Sequence, residues 1–222
     1  MVSRSSSIDR QNGLNMAANI QEYVAERGIN YLVHFTREAN LASILENGLL
    51  RRDLLIPGAG VVFNDELRLD GTSAICLSIS FPNYKLFCRL RNSNPDEKWV
   101  VIGLHPSVLW MLRCAFCTSN AASSAVTGIN IEQRMGLGAL QAMFVDWEDK
   151  VRANLGLNAS VPTNPQAEVL VLDSIPRNFI VGVAASNEST AQRLRVSHPG
   201  ANVLSFPNFF YPRADYQHWQ AS

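Results

Sequence analysis

Six short β-rich runs limit what this chain can fold into: INYLVHFT (29–36), AICLSISF (74–81), KWVVIGL (98–104), CAFCTS (114–119), EVLVLD (168–173) and FIVGVAA (179–185). Stretches with helical spacing lie between most of them. Parallel strands need a crossover of a dozen or more residues, and the hairpin-like spacing of several runs here disfavours a doubly wound parallel sheet. The expectation is an α+β fold. No internal repeat and no linker divides it, so residues 16–222 read as a single domain. The start, MVSRSSSIDRQNG, lacks the apolar core of a signal peptide, and residues 1–15 read as a frayed tail.

The helical stretches carry their own punctuation. MAANIQEYVAER (16–27) sets Ile20, Tyr23 and Val24 on one side and meets Gly28. Thr36 offers an N-cap for REANLASILEN, whose Leu41, Ile44 and Leu45 form an apolar stripe that ends at Gly48. Asn83 caps a helix over NYKLFCRLR (83–91), and Pro106 sits in the first turn of PSVLWML. EQRMGLGALQAMFVDWED (132–149) has helical spacing weakened by Gly136 and Gly138. A polar loop over 150–166 follows, and a further helix starts within 186–195.

Composition excludes several classes. Hydrophobic residues make up 47% and charged residues 17%, enough apolar material for a core. Nineteen basic residues balance nineteen acidic ones, so no global field points to a polyanion, and any such partner must meet a local patch. Cys114 and Cys117 form a C-x-x-C, but no second pair follows and only His105 is near. No metal site is expected, and Cys76, Cys88, Cys114 and Cys117 read as reduced thiols of a cytoplasmic protein. No apolar run approaches the roughly 20 residues of a membrane span. GAG and GLG fit neither phosphate-cradling fingerprint.

Within PTNPQAEVLVLD (162–173), one carboxylate stands near the start of an apolar strand. Side chains alternate along a strand, so Glu168 shares a face with Leu170 and Leu172. A carboxylate there is costly unless it has a partner, water or a task. His34, between Val33 and Phe35, is either a core histidine bonded to a backbone carbonyl or a ligand contact. Asn40 solvates a helix end or meets a ligand, and Arg68 in NDELRLDG (64–71) is by default a surface arginine. Phe81 and Tyr84 flank a proline turn, either as packing or as a stacking platform.

Taken in order, YLVHFTREANLASILENGLL, NDELRLDG, LSISFPNYKLF and PQAEVLVLD resemble the DarT-type DNA ADP-ribosyltransferase toxins, within the diphtheria-toxin and poly(ADP-ribose)-polymerase-like superfamily. The resemblance runs from about 29 to 185, with HFTREAN and QAEVLV its most specific pieces. It implies split antiparallel sheets flanked by helices, with an NAD+ cleft between them. His34, Thr36 and Asn40 would contact the cofactor, Arg68 its diphosphate and the attacked base, and Phe81 or Tyr84 the nicotinamide ring. Glu168 would be catalytic: a carboxylate on the ribose 2′-hydroxyl stabilises the oxocarbenium-like charge that grows as the nicotinamide bond breaks.

The resemblance also assigns the loop before Glu168 to the acceptor. Trp147 would stack on a base, Lys150 and Arg152 would meet phosphates, and Asn154, Asn158 and Asn164 base edges, a kit suited to single-stranded DNA. Arg51, Arg52, Lys85, Arg89 and Arg91 could extend the groove. NDELRLDG and SISFPNY resemble the guanine-modifying branch more than the thymine-modifying one. The resemblance implies a toxin paired with a macrodomain antitoxin that removes ADP-ribose. A transferase acting on protein or RNA, and a non-catalytic NAD+ or nucleic-acid binding module, are the alternatives.

Overall fold

The computed structural model describes residues 17–55 and 71–220; Arg68, the N-terminal tail and most of NDELRLDG lie outside them. Helix α1 (Ile20–Arg27) starts at Asn19, whose side chain accepts from the Glu22 N–H, and ends at Gly28 in the left-handed conformation. Strand β1 (Leu32–Arg37) runs through a 3-10 turn (Glu38–Asn40) into α2 (Leu41–Asn47). Next come β2 (Ile75–Ile79), α3 (Tyr84–Ser93), β3 (Trp99–Leu104), α4 (Val108–Met111), β4 (Cys114–Cys117), α5 (Ser124–Thr127) and α6 (Leu137–Ala142). The chain continues through β5 (Glu168–Val171), β6 (Ile180–Ala185), α7 (Glu188–Ser197) and β7 (Val203–Ser205). No helix among the described residues is long and apolar enough to cross a membrane.

The strands form one seven-stranded sheet in the order β4-β5-β2-β1-β3-β6-β7. Every pairing is antiparallel except β6 with β7, which is parallel. The expected split lies at its centre. β1 pairs with β3 along its whole length, from Leu32↔Leu104 to Arg37↔Trp99. Against β2 it makes only two pairs, Leu32↔Ile79 and Val33↔Ser78. Beyond them the strands part, and the His34 ring takes up the Cys76 carbonyl at 2.9 Å where a ladder bond would have been.

Alternation along the strands separates two faces. Leu32, Leu77, Ile79, Ile102, Val169, Val171 and Val183 line the larger core under α1, α2, α4, α6 and α7. The opposite face carries two smaller clusters. Val33 and Val101 pack with Phe87, Trp99, Phe209 and Phe210 on one half. Ala115, Cys117, Ala121, Val126 and Leu170 form the other, at the Glu168 end of β5.

Three expectations change. Thr36 is not a helix cap: it is a buried residue of β1 paired with Val100, and α2 starts only after the 3-10 turn. The helix over 132–149 breaks into a 3-10 turn (Ile131–Arg134) and the short α6, because Gly136 takes φ 84° and ends any continuous helix. The sheet is also mixed rather than wholly antiparallel. Gly48 is held to glycine by crowding, since a Cβ there would lie 2.2 Å from the Ile175 carbonyl oxygen.

Candidate active site

Glu168 opens β5 opposite Cys117 of β4, and its residue is only 6% exposed. Its carboxylate is held from two sides. Oε2 accepts the Ala121 N–H at 2.9 Å, and Oε1 accepts Nδ2 of Asn83 at 3.3 Å. Asn83 itself is fully buried. Its Oδ1 accepts the Leu86 N–H and so caps α3, which leaves the amide nitrogen facing Glu168. Its own N–H donates to the Ser78 hydroxyl at the end of β2. The carboxylate thus joins β5, the β2–α3 turn and the loop after β4.

His34 lies in the central split. The Cys76 carbonyl can only accept, so Nδ1 carries the proton and, in the neutral ring, Nε2 is the acceptor. On the same strand Thr36 Oγ1 accepts from the Asn40 amide at 3.0 Å, and both residues are buried. HFTREAN thus contributes two separate polar contacts, His34 with the Cys76 carbonyl and Asn40 with Thr36. His34 has the backbone-carbonyl partner expected of a core histidine.

The aromatic candidates differ. Tyr84 is buried; its hydroxyl pKa is pushed up to about 12 by that burial and, secondarily, by the Asp215 charge. Phe81 is half-buried and meets Phe209 edge-on with ring centroids 5.8 Å apart.

The segment from Asp146 to Ala167 is pinned from within. Trp147 and Lys150 exchange backbone hydrogen bonds across a tight turn, and Lys150 Nζ pairs with Asp149. Arg152 turns inward: Nη1 donates to Thr163 Oγ1, Nη2 donates to the Asn158 carbonyl, and the guanidinium lies over the Phe144 ring. Burial, with the Arg27 and Arg213 charges adding to it, pulls its pKa down to about 10. Asn164 is buried and accepts the Gln166 N–H, whereas Asn154 and Asn158 are exposed.

The C-terminal segment supplies what the sequence reading missed. Arg213, 5% exposed, grips Asp215 with two bonds of 2.6 Å and donates to the carbonyls of Pro162 and Thr163. The Trp219 indole N–H donates to Asp215, and Lys85 Nζ donates to the Trp219 carbonyl. Burial lowers the Lys85 pKa, against the opposing pull of Asp215. The tail RADYQHW shows no pattern distinguishing these residues from ordinary charges. Of the other basic residues, Arg51 pairs with Asp53 and donates to the Leu172 carbonyl, Arg91 covers Phe87 and Phe210, and Arg89 is exposed. Among the described residues no group of three His, Cys, Asp or Glu side chains could hold a metal ion.

A mixed sheet split at its centre, with a histidine in the split and a glutamate held at a neighbouring strand mouth, has the ADP-ribosyltransferase-type architecture. The family model described as ssDNA thymidine ADP-ribosyltransferase, DarT, matches residues 33–218, and the chain belongs to that family. No curated protein matches it. Among solved structures, Thermosipho africanus DarTG in complex with ADP-ribose is similar at a TM-score of 0.57 and 18% identity, over 82% of this chain. The match spans about half of that protein, 51% of its chain. Thermus sp. 2.9 DarT in complex with ADP-ribosylated ssDNA is similar at a TM-score of 0.56 and 12% identity, over 83% of this chain and 97% of that one. At such identities the likeness establishes the fold.

Proposed function

We propose that this protein transfers ADP-ribose from NAD+ to a base of single-stranded DNA, with Glu168 as the catalytic carboxylate. One observation carries the reading. Glu168 is buried at a strand mouth with both oxygens held, in a chain of the DarT family. A fixed carboxylate stabilises the ribose cation without reorganising as the nicotinamide bond breaks, and it can take the proton from the attacking nitrogen. NAD+ lies in the central split, with His34 and the Thr36–Asn40 pair on its ribose side and Phe81, the less buried aromatic, against nicotinamide. Arg68 serves the diphosphate.

The loop over Asp146–Ala167 presents the acceptor side. Trp147, Lys150 and Asn154 face the strand, and Arg152 holds the loop in shape through Thr163 and Asn158. The family description names thymidine, whereas NDELRLDG and SISFPNY favour guanine, so both bases belong in the test. Modification of DNA is toxic, and a macrodomain antitoxin that removes ADP-ribose is the proposed partner. A cytoplasmic location, with the four cysteines as thiols, belongs to the same reading.

The test incubates the protein with NAD+ and single-stranded oligonucleotides rich in dT or in dG, and weighs the products by mass spectrometry. An ADP-ribose adduct establishes the activity and fragmentation names the base. Nicotinamide release without a DNA adduct moves the acceptor to protein or RNA. No nicotinamide release with any acceptor, and NAD+ still bound, reduces the protein to a binding module.

A further inference from the structure

The β2–α3 turn, Ser80–Asn83, carries local costs that helix capping alone does not require. Ser80 adopts φ 59°, the left-handed region that a residue with a Cβ rarely enters. Its hydroxyl is buried without a hydrogen-bond partner. Immediately after it, the Phe81 N–H closes back on the Ile79 carbonyl at 2.7 Å. An asparagine can cap a helix on an ordinary turn with its other amide edge in water. Here the tight turn delivers a fully buried asparagine whose backbone N–H, Oδ1 and Nδ2 are all engaged, the last on Glu168. Strained backbone persists where the surrounding structure over-determines it, and such positions gather at functional sites.

We infer that Asn83 is a positioning residue for the transfer reaction: one edge of its amide caps α3, and the other fixes the rotamer and plane of the Glu168 carboxylate. This rests on the reading of Glu168 as catalytic. The Ala121 N–H holds the second oxygen, so the carboxylate is clamped between donors from two loops more than thirty residues apart. Among the described residues, the ionisable groups at this corner include Cys117, directly opposite on β4, and Arg134, whose Nη1 donates to that thiol at 3.4 Å. The variants below leave both in place.

Asn83→Asp separates the two duties. A carboxylate still accepts the Leu86 N–H, so the cap survives, but it sets a second negative charge against Glu168, and two facing carboxylates do not both ionise. With NAD+ and a single-stranded oligonucleotide, Asn83→Asp should keep KM for NAD+ within about threefold, lower kcat at neutral pH at least tenfold, and move the acidic limb of the rate to higher pH by about one unit. Asn83→Ser retains a cap and adds no charge; it should lower kcat without moving that limb. A folded Asn83→Asp with wild-type kcat and an unmoved limb overturns the inference. If Asn83→Asp does not fold, adding Glu168→Gln restores an amide–carboxylate pair: recovery of the thermal melt supports the contact, and continued failure overturns it. Glu168→Gln alone separates the two readings. Wild-type turnover there removes the catalytic role of Glu168, whereas an inactive Glu168→Gln beside a wild-type Asn83→Asp removes only the positioning role.

Discussion

The two halves of the sheet are held together by different physics. On the β1–β3–β6 side the registers are long, with six residue pairs between β1 and β3. That half is covered by an aromatic cluster in which Phe35 stacks on Phe87 with centroids 4.6 Å apart. On the β4–β5–β2 side the strands are shorter, with only three pairs between β2 and β5. Beyond its apolar packing, that half carries buried polar ties. Glu168 ties β5 to Asn83 and Ala121, and Arg213 and Arg152 both reach Thr163, five residues upstream. A buried polar group left without its partner costs its full desolvation. The half that bears the carboxylate is therefore the brittle one.

The largest expected effect is on chemistry. Glu168→Gln preserves shape and removes the charge proposed to stabilise the ribose cation, so transfer measured by oligonucleotide mass should fall by about 10²- to 10³-fold, the scale of losing one preorganised electrostatic group. Next is stability on the polar side. Arg213→Ala leaves Asp215 buried without its bidentate partner and should cost about 3–5 kcal/mol in urea unfolding. A loss below 1 kcal/mol would show that the C-terminal clasp is not what secures the loop.

A smaller effect is confined to alkaline pH. Burial raises the Tyr84 pKa to about 12, above its ordinary value near 10, so the neutral phenol is favoured in the folded state. That contribution is complete below pH 10 and is lost as pH rises from 10 towards 12. Melting temperatures of Tyr84→Phe and the parent should therefore diverge only above pH 10, the parent losing more; parallel curves would remove Tyr84 as the cause. The smallest effect belongs to the other half. The Arg193–Glu38 pair links α7 to the turn after β1, but the Arg193 side chain is 44% exposed. Arg193→Ala should cost no more than about 1 kcal/mol in the same urea assay. A cost equal to that of Arg213→Ala would erase the distinction between the halves.

Local chemistry made much of this legible. Gly28 ends α1 in the left-handed conformation, Asn83 caps α3, and alternation placed Glu168 on the face of Leu170. Each depends on a residue and its near neighbours. Thr36 misled because a threonine before a helical stripe reads as a cap, whereas its pairing with Val100 draws it into β1. Arg152 reads as a phosphate contact, and the sequence gives no sign that Nη1 and Nη2 also donate to Thr163 and the Asn158 carbonyl. Arg213 could not be singled out, because its partners Pro162 and Thr163 lie fifty residues away in sequence.

By itself, the sequence determined the α+β class, most helix ends, the strand that carries Glu168 and the family, because periodicity, capping and short motifs act over a few residues. Tertiary structure alone decided that β1 and β2 part after two pairs, that His34 fills the gap, that Asn83 turns its second amide edge to the carboxylate, and that Arg213 clasps the loop before β5. Those contacts join groups distant along the chain, and burial in a shared interior is what makes each bond worth forming.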